Sequence, residues 1–306
     1  MMGLRHPDFA REGRDWPLRE WSTFRQAGGL RWHVQVGGSG PVCLLVHGTG
    51  AATHSWRHLA PRLASRFTVV AMDLPGHGFT GTPRGRRVTL DAMARLIDGL
   101  LVALNVRPAL VVGHSAGAAI ALAMALAGRV APAGIVSLNG ALEPFGGPAG
   151  PLFSLMAKAL FANPLVPRLT ARAAQDRARV VRLIENTGSR LDAEGIALYQ
   201  ALFAAPAHVA GAIAMMASWD LKHLVRELPR LKAALLLVAA EGDTAVPPSA
   251  SLAVERLVPG ARRLTVEGLG HLAHEEDAER IARHIVEFAL SLGGRRITET
   301  PALTAD

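Results

Sequence analysis

The sequence predicts an α/β fold: a mostly parallel sheet with helices on both faces and a helical cap inserted after the sixth strand. Three observations carry this. Short β-rich apolar runs alternate with stretches of helical period, and most of those runs are continuously apolar, as strands covered on both faces are. One long interval, 141–226, breaks the alternation.

The elements follow in order. Runs at 22–26 and 30–36 have no helix between them, so a turn through Gly28-Gly29 pairs them antiparallel at one edge. Further strands are expected at 42–47, 67–72, 109–113, 134–138, 234–239 and 261–266. Helical periods occupy 89–104, 116–127, 249–258 and 276–291. The interval 141–226 is rich in Ala, Leu, Met and Arg and reads as several short helices separated by Pro144, Pro148, Pro151, Pro164, Pro167 and Pro206. Its position suits a cap over the carboxyl ends of the strands, where such sheets bind ligands. The expected organisation is a core of 1–140 and 227–292, a cap of 141–226 and a loose tail of 293–306.

Composition narrows the class. Half of the 306 residues are hydrophobic, enough for a large core and unlike a disordered chain. The single cysteine, Cys43, cannot form an intramolecular disulfide and sits in an apolar run as a core residue. Met1 to Arg14 is polar, without the apolar stretch of a signal peptide, and no run is long enough for a transmembrane helix. A cytoplasmic protein is expected. The formal charge of +8 comes with no nucleic-acid motif, and Gly37-Gly38-Ser39-Gly40 lacks the following helix of a phosphate loop.

The chemistry centres on Gly113-His114-Ser115-Ala116-Gly117, which follows an apolar strand and precedes a helical run. In that context a G-x-S-x-G segment is a nucleophile elbow, and small residues at 113 and 117 let neighbouring backbone pass close by. A serine hydroxyl needs a base, and in this arrangement acid and histidine follow the serine in chain order. Asp243 lies just beyond the strand 234–239, and His271 follows Gly268-Leu269-Gly270 after the strand 261–266. Glu241 is the alternative acid and His274 the alternative histidine. The end of the strand at 134–138 can also carry the acid, but Asn139 stands there.

Two backbone N–H groups must face the developing oxyanion. Ala116 supplies one, and the loop His47-Gly48-Thr49-Gly50 the other, with Thr49 preferred to Gly50. Gly48, His114, Phe145, Met216 and Trp219 are candidates for the cavity wall, although His114 and His77 also read as structural. The arginines at 168, 172, 177, 179, 182 and 190 face only Asp176 and Glu185 in their segment; they read as a solvated face or as a surface for carboxylates. The spacing of His271, His274 and Glu275 is not that of a metal site, and neither metal nor cofactor is expected.

Segments beyond the elbow carry a resemblance. They include Asp73-Leu74-Pro75-Gly76-His77-Gly78-Phe79-Thr80, Thr187-Gly188-Ser189-Arg190-Leu191 and Met215-Met216-Ala217-Ser218-Trp219-Asp220-Leu221. With the elbow they resemble the α/β-hydrolase-fold magnesium-chelatase accessory proteins (BchO-like) of bacteriochlorophyll biosynthesis, from about residue 12 to 285. The resemblance implies a cytoplasmic protein, at most peripheral to the photosynthetic membrane, linked to magnesium insertion into protoporphyrin IX. It implies a tetrapyrrole-related ligand and chelatase subunits as partners. The residues point to a serine hydrolase acting on an ester or similar acyl bond of an apolar compound. A non-catalytic porphyrin- or chelatase-binding accessory is the alternative, and a C–C bond hydrolase or perhydrolase would use the same triad.

Overall fold

The computed structural model describes residues 4–83, 88–143, 163 and 165–293; Phe145 and the segment 294–306 lie outside them. Eight strands form one sheet: β1 (Ser22–Ala27), β2 (Leu30–Gly37), β3 (Val42–Val46), β4 (Thr68–Met72), β5 (Leu110–His114), β6 (Gly134–Leu138), β7 (Ala234–Ala240) and β8 (Arg262–Val266). Their order is β1-β2-β4-β3-β5-β6-β7-β8. β2 pairs antiparallel with β1 and β4, and the other neighbours are parallel. The β1–β2 register brings Ala27 opposite Leu30, leaving Gly28 and Gly29 as a two-residue turn with φ of 58° and 76°. Those angles need glycine, as the sequence pattern anticipated.

The central strands are buried end to end because both faces are covered. Alternate residues feed two cores. Leu44, Val46, Val111 and Ile135 join one core with Met93 and Ile97 of α2 (Leu90–Ala103) and Ile120 of α3 (Ala116–Leu126). Cys43, Leu45, Leu110 and Val136 join the other with Leu59 and Leu63 of α1 (Leu59–Ala64) and with Ile281 and Ile285. Burial pushes the Cys43 thiol far above its ordinary pKa, as the sequence reading of a core residue expects.

Between β6 and β7 the described residues contain five helices and a following 3₁₀ turn. The helices are α4 (Val166–Ala173), α5 (Arg177–Glu185), α6 (Ala193–Phe203), α7 (Pro206–Ala217) and α8 (Lys222–Glu227). Asp176 and Asp192 cap α5 and α6 through their carboxylates. Pro167 and Pro206 were expected between helices but occupy the first turns of α4 and α7. A first-turn proline loses no hydrogen bond, since its N–H would be unpaired there anyway. After β7 come α9 (Ser249–Leu257), then α10 (Ala273–Glu276) and α11 (Ala278–Ser291), which divide the expected 276–291 helix at Asp277. No single helix among the described residues is long and apolar enough to cross a membrane; α6 and α7 pass that test only together and are bent by 86°.

Candidate active site

Ser115 sits where β5 ends and α3 begins, with φ 52° and ψ −119°. This backbone is strained for a serine and marks a functional turn. Its neighbours explain how the chain tolerates it. A Cβ on Gly117 would lie 2.0 Å from the Val46 carbonyl oxygen, and one on Gly113 would lie 2.5 Å from Ala118 Cα. The Ser115 N–H donates to the Leu138 carbonyl at 3.0 Å, while its own carbonyl accepts from Ala118 and Ala141 N–H. The Ala116 N–H opens α3 and has no partner within the helix, as first-turn donors do not.

Asp243 lies beyond β7, 5% exposed. Its Oδ1 accepts from the Ala245 and Val246 N–H groups, both at 2.8 Å, and its Oδ2 lies 2.7 Å from His271 Nδ1. A carboxylate holding three hydrogen bonds is an acceptor only. His271 Nδ1 therefore carries the proton, which leaves Nε2 with a lone pair. Ser115 and His271 line the same cavity. Glu241, the alternative acid, is exposed beside Asp243, and its N–H donates to Val266 O. His274, the alternative base, is buried against Trp56 and His114, and burial lowers its pKa to about 3. It remains neutral inside the protein.

The loop after β3 is fixed by His47. The ring accepts the Leu74 N–H at Nε2 (2.8 Å), so Nδ1 bears hydrogen and donates to the Gly48 carbonyl at 2.7 Å. In a trans peptide the next N–H points the opposite way, so the Thr49 N–H faces away from His47. Burial lowers the His47 pKa and holds this neutral tautomer. Gly48 lies against the elbow: an added Cβ would come within 2.9 Å of His114 Nδ1 and 3.0 Å of Ser115 Cβ. His208 of α7 ties the loop to the helices above, accepting from Gly78 N–H and donating from Nε2 to the Gly50 carbonyl at 3.1 Å.

The cavity over Ser115 measures about 690 Å³. Thr49, His114, Ser115 and His271 form its floor, and Val166, Leu183, Ile184, Phe203, Ile213 and Met216 make its walls apolar. Arg179 also lines it and pairs with Asp176 at 3.3 Å. Trp219 is partly buried against the core that holds Ile120 and Val111, and it is not among the residues lining this cavity. Phe145 falls outside the described residues.

The sequence reading missed the residues that hold the His271 loop. Asn139, dismissed as no carboxylate, donates from Nδ2 to the carbonyls of Gly270 (3.0 Å) and His271 (2.8 Å) and accepts the Ala240 N–H at 2.7 Å. His114 Nε2 adds a donor to the His271 carbonyl at 2.9 Å. From the helices, Tyr199 donates to the buried carboxylate of Glu275 at 2.8 Å, which is also paired to Arg57. No group of three or more His, Cys, Asp or Glu able to hold a metal occurs among the described residues.

A serine on a strained strand–helix turn, with acid and imidazole on later loops of the same sheet edge, defines an α/β hydrolase. The chain belongs to the alpha/beta hydrolase family, whose model matches residues 43–284. It is a homologue of the magnesium-chelatase 30 kDa subunit of Rhodobacter capsulatus, 41% identical over 276 residues that cover 90% of this chain and 96% of that one. Pimeloyl-[acyl-carrier protein] methyl ester esterase of Methylococcus capsulatus is 29% identical across 84% of this chain and 98% of its own length. Among solved structures, an alpha/beta hydrolase fold protein of Burkholderia ambifaria superimposes with a TM-score of 0.74 at 24% identity, covering 93% of this chain and 100% of that one. The meta-cleavage product hydrolase of Pseudomonas fluorescens IP01 does so with a TM-score of 0.74 at 23% identity, covering 89% and 98%. At those identities the structures speak for the fold alone.

Proposed function

We propose that the chain is a serine hydrolase acting on an ester or similar acyl bond of an apolar, tetrapyrrole-related compound. The observation that carries this is the 2.7 Å contact between His271 Nδ1 and Asp243 Oδ2, with His271 and Ser115 lining one cavity. Ser115 Oγ attacks the acyl carbon while His271 Nε2 takes its proton. Asp243 holds the imidazole tautomer and stabilises the imidazolium. The Thr49 and Ala116 N–H groups receive the oxyanion, and His271 then protonates the leaving group. Water repeats the sequence on the acyl-enzyme. Gly48 leaves room for the tetrahedral centre, since any side chain there would meet Ser115.

The substrate class follows from the cavity. A volume near 690 Å³ with apolar walls suits a large apolar body, and Arg179 offers one carboxylate a partner. The kinship with a magnesium-chelatase subunit supports a tetrapyrrole carboxylate or its ester, and a site of action in the cytoplasm or at the surface of a photosynthetic membrane. The same reasoning favours a division into a core of 1–140 and 227–292 and a cap of 141–226 over the site. A fluorophosphonate probe should label Ser115 stoichiometrically, and Ser115→Ala should abolish labelling. An unlabelled wild-type protein would remove the hydrolase reading.

One observation favours a second reading: the relative at 41% identity is named as a subunit of the chelatase. On that reading the chain binds porphyrin or chelatase without catalysis. Ser115→Ala protein that still restores pigment synthesis would support it. Absent quenching of protoporphyrin IX at micromolar protein would count against porphyrin binding on either reading.

A further inference from the structure

The loop joining α5 to α6, Thr187-Gly188-Ser189, enters the sheet edge between the loop of Asp243 and the loop of His271. Its hydrogen bonds there go mainly to the backbone of those two loops. The Thr187 carbonyl accepts from His271 N–H at 3.2 Å and from Thr244 N–H at 3.3 Å. Ser189 Oγ, fully buried, accepts from Leu272 N–H at 2.7 Å. Thr244 Oγ1 returns a hydrogen bond to the Asn186 carbonyl at 2.8 Å. Gly188, at φ 80°, is so close that a Cβ would fall 1.8 Å from the Gly242 carbonyl oxygen. A Cβ on Gly270 would in turn fall 2.3 Å from the Gly188 carbonyl. Three glycines on three separate loops therefore pack backbone to backbone, and a side chain on any of them would force the loops apart.

The His271 backbone is consequently gripped from two sides. The sheet holds its carbonyl through Asn139 and His114, and the helical segment holds its N–H and that of Leu272. Thr187 also lines the cavity, as do Val180 and Ile184 of α5, so material in the cavity rests against the same segment. We infer that Thr187-Gly188-Ser189 is a positioning clasp for the Asp243–His271 pair, and that cavity contents act on the pair through it. The inference rests on the hydrolase reading for its kinetic consequence but not for its geometry. Ser189 touches no reacting atom. It acts by setting where the imidazole stands, and a misplacement of about 1 Å can cost about 10²-fold in rate.

The test is Ser189→Ala, which leaves the Leu272 N–H without its acceptor, beside Ser189→Cys, which keeps the shape and offers a weaker one. Two readouts are taken on the full-length protein: the rate of Ser115 labelling by a fluorophosphonate and the NMR resonance of the His271 Nδ1 proton. Ser189→Ala should slow labelling about tenfold and shift the resonance, with Ser189→Cys intermediate on both. Wild-type rate and resonance in Ser189→Ala overturn the clasp. If wild type is not labelled at all, the hydrolase reading fails and the resonance alone decides the clasp. If Ser189→Ala does not fold, Ser189→Cys is scored by the same two criteria.

Discussion

Replacing Asp243 by asparagine tests the acid where the structure is most explicit. The amide oxygen can keep the two hydrogen bonds from Ala245 and Val246 N–H, so the loop should keep its shape. The amide nitrogen then replaces Oδ2 at 2.7 Å from His271 Nδ1 and presents a hydrogen to it. Two donors cannot face each other, so the imidazole must move its proton to Nε2. That places a hydrogen where the lone pair must accept the Ser115 proton, and general-base assistance is lost. Charge stabilisation of the imidazolium is lost with it. For this geometry the expected fall in kcat is about 10⁴-fold. At ~1.4 kcal/mol per decade, that is about 5.5 kcal/mol of transition-state stabilisation.

Stability should change far less, by about 1–2 kcal/mol for one altered buried hydrogen bond. Hydrolysis of p-nitrophenyl butyrate and fluorophosphonate labelling, with thermal melts in parallel, separate the two effects. The residual rate should climb with pH as hydroxide replaces the missing base. An Asp243→Asn protein retaining a tenth or more of wild-type activity would refute the assignment. Loss in Glu241→Gln instead would transfer the role to the neighbouring carboxylate.

Three further outcomes follow from the structure elsewhere in the site. Gly117→Ala puts a methyl 2.0 Å from the Val46 carbonyl, inside the contact between elbow and oxyanion loop; a loss of about 3 kcal/mol by urea denaturation is expected, and an unchanged midpoint would contradict the packing. Asn139→Asp exchanges two donors for acceptors facing the Gly270 and His271 carbonyls at 3.0 and 2.8 Å; it should cost about 2–4 kcal/mol and slow labelling. Acid should weaken the fold early, because burial lowers the pKa of His208 to about 4 and of His274 to about 3 against 6.5 when unfolded. Both are neutral in the native state, so their contribution is complete above 6.5 and lost as pH falls towards 4 and then 3. At pH 5 each forfeits roughly 2 kcal/mol, partly offset by Glu275, whose pKa burial raises to about 7 against 4.5 unfolded, so that acid favours its buried form; a fall in melting temperature from pH 7.5 to pH 5 that is undiminished in His208→Asn would refute the buried neutral ring.

The parts of the site legible in the sequence are those whose geometry is local. Gly113 and Gly117 flank Ser115 because the turn itself has no room for side chains, and a β-rich run followed by a helical one states where the turn lies. The central strands were readable for a similar reason: β3, β5 and β6 are buried on both faces, so their residues are apolar without alternation. Asp243 and His271 could be nominated because parallel strands all end at one edge, so residues just after two different strands become neighbours. The clasp has no such signature. Ser189 and Leu272 are 83 residues apart, and Asn139 and His271 are 132 apart. Their hydrogen bonds go to backbone groups that every residue possesses, so nothing in the partner's identity points back. The helical segment was opaque for another reason. Its apolar residues can face the cavity, a neighbouring helix or the sheet, and Met216 and Trp219, three residues apart, take different sides. Periodicity says that such a helix is covered, not by what. The same limit applies to the dyad, since spacing nominates its residues but the backbone grip from Thr187, Ser189 and Asn139 fixes their distance. A protein could therefore keep Ser115, Asp243 and His271 and still lose the alignment, which makes Ser189 the residue whose substitution separates the presence of the proposed triad from its geometry.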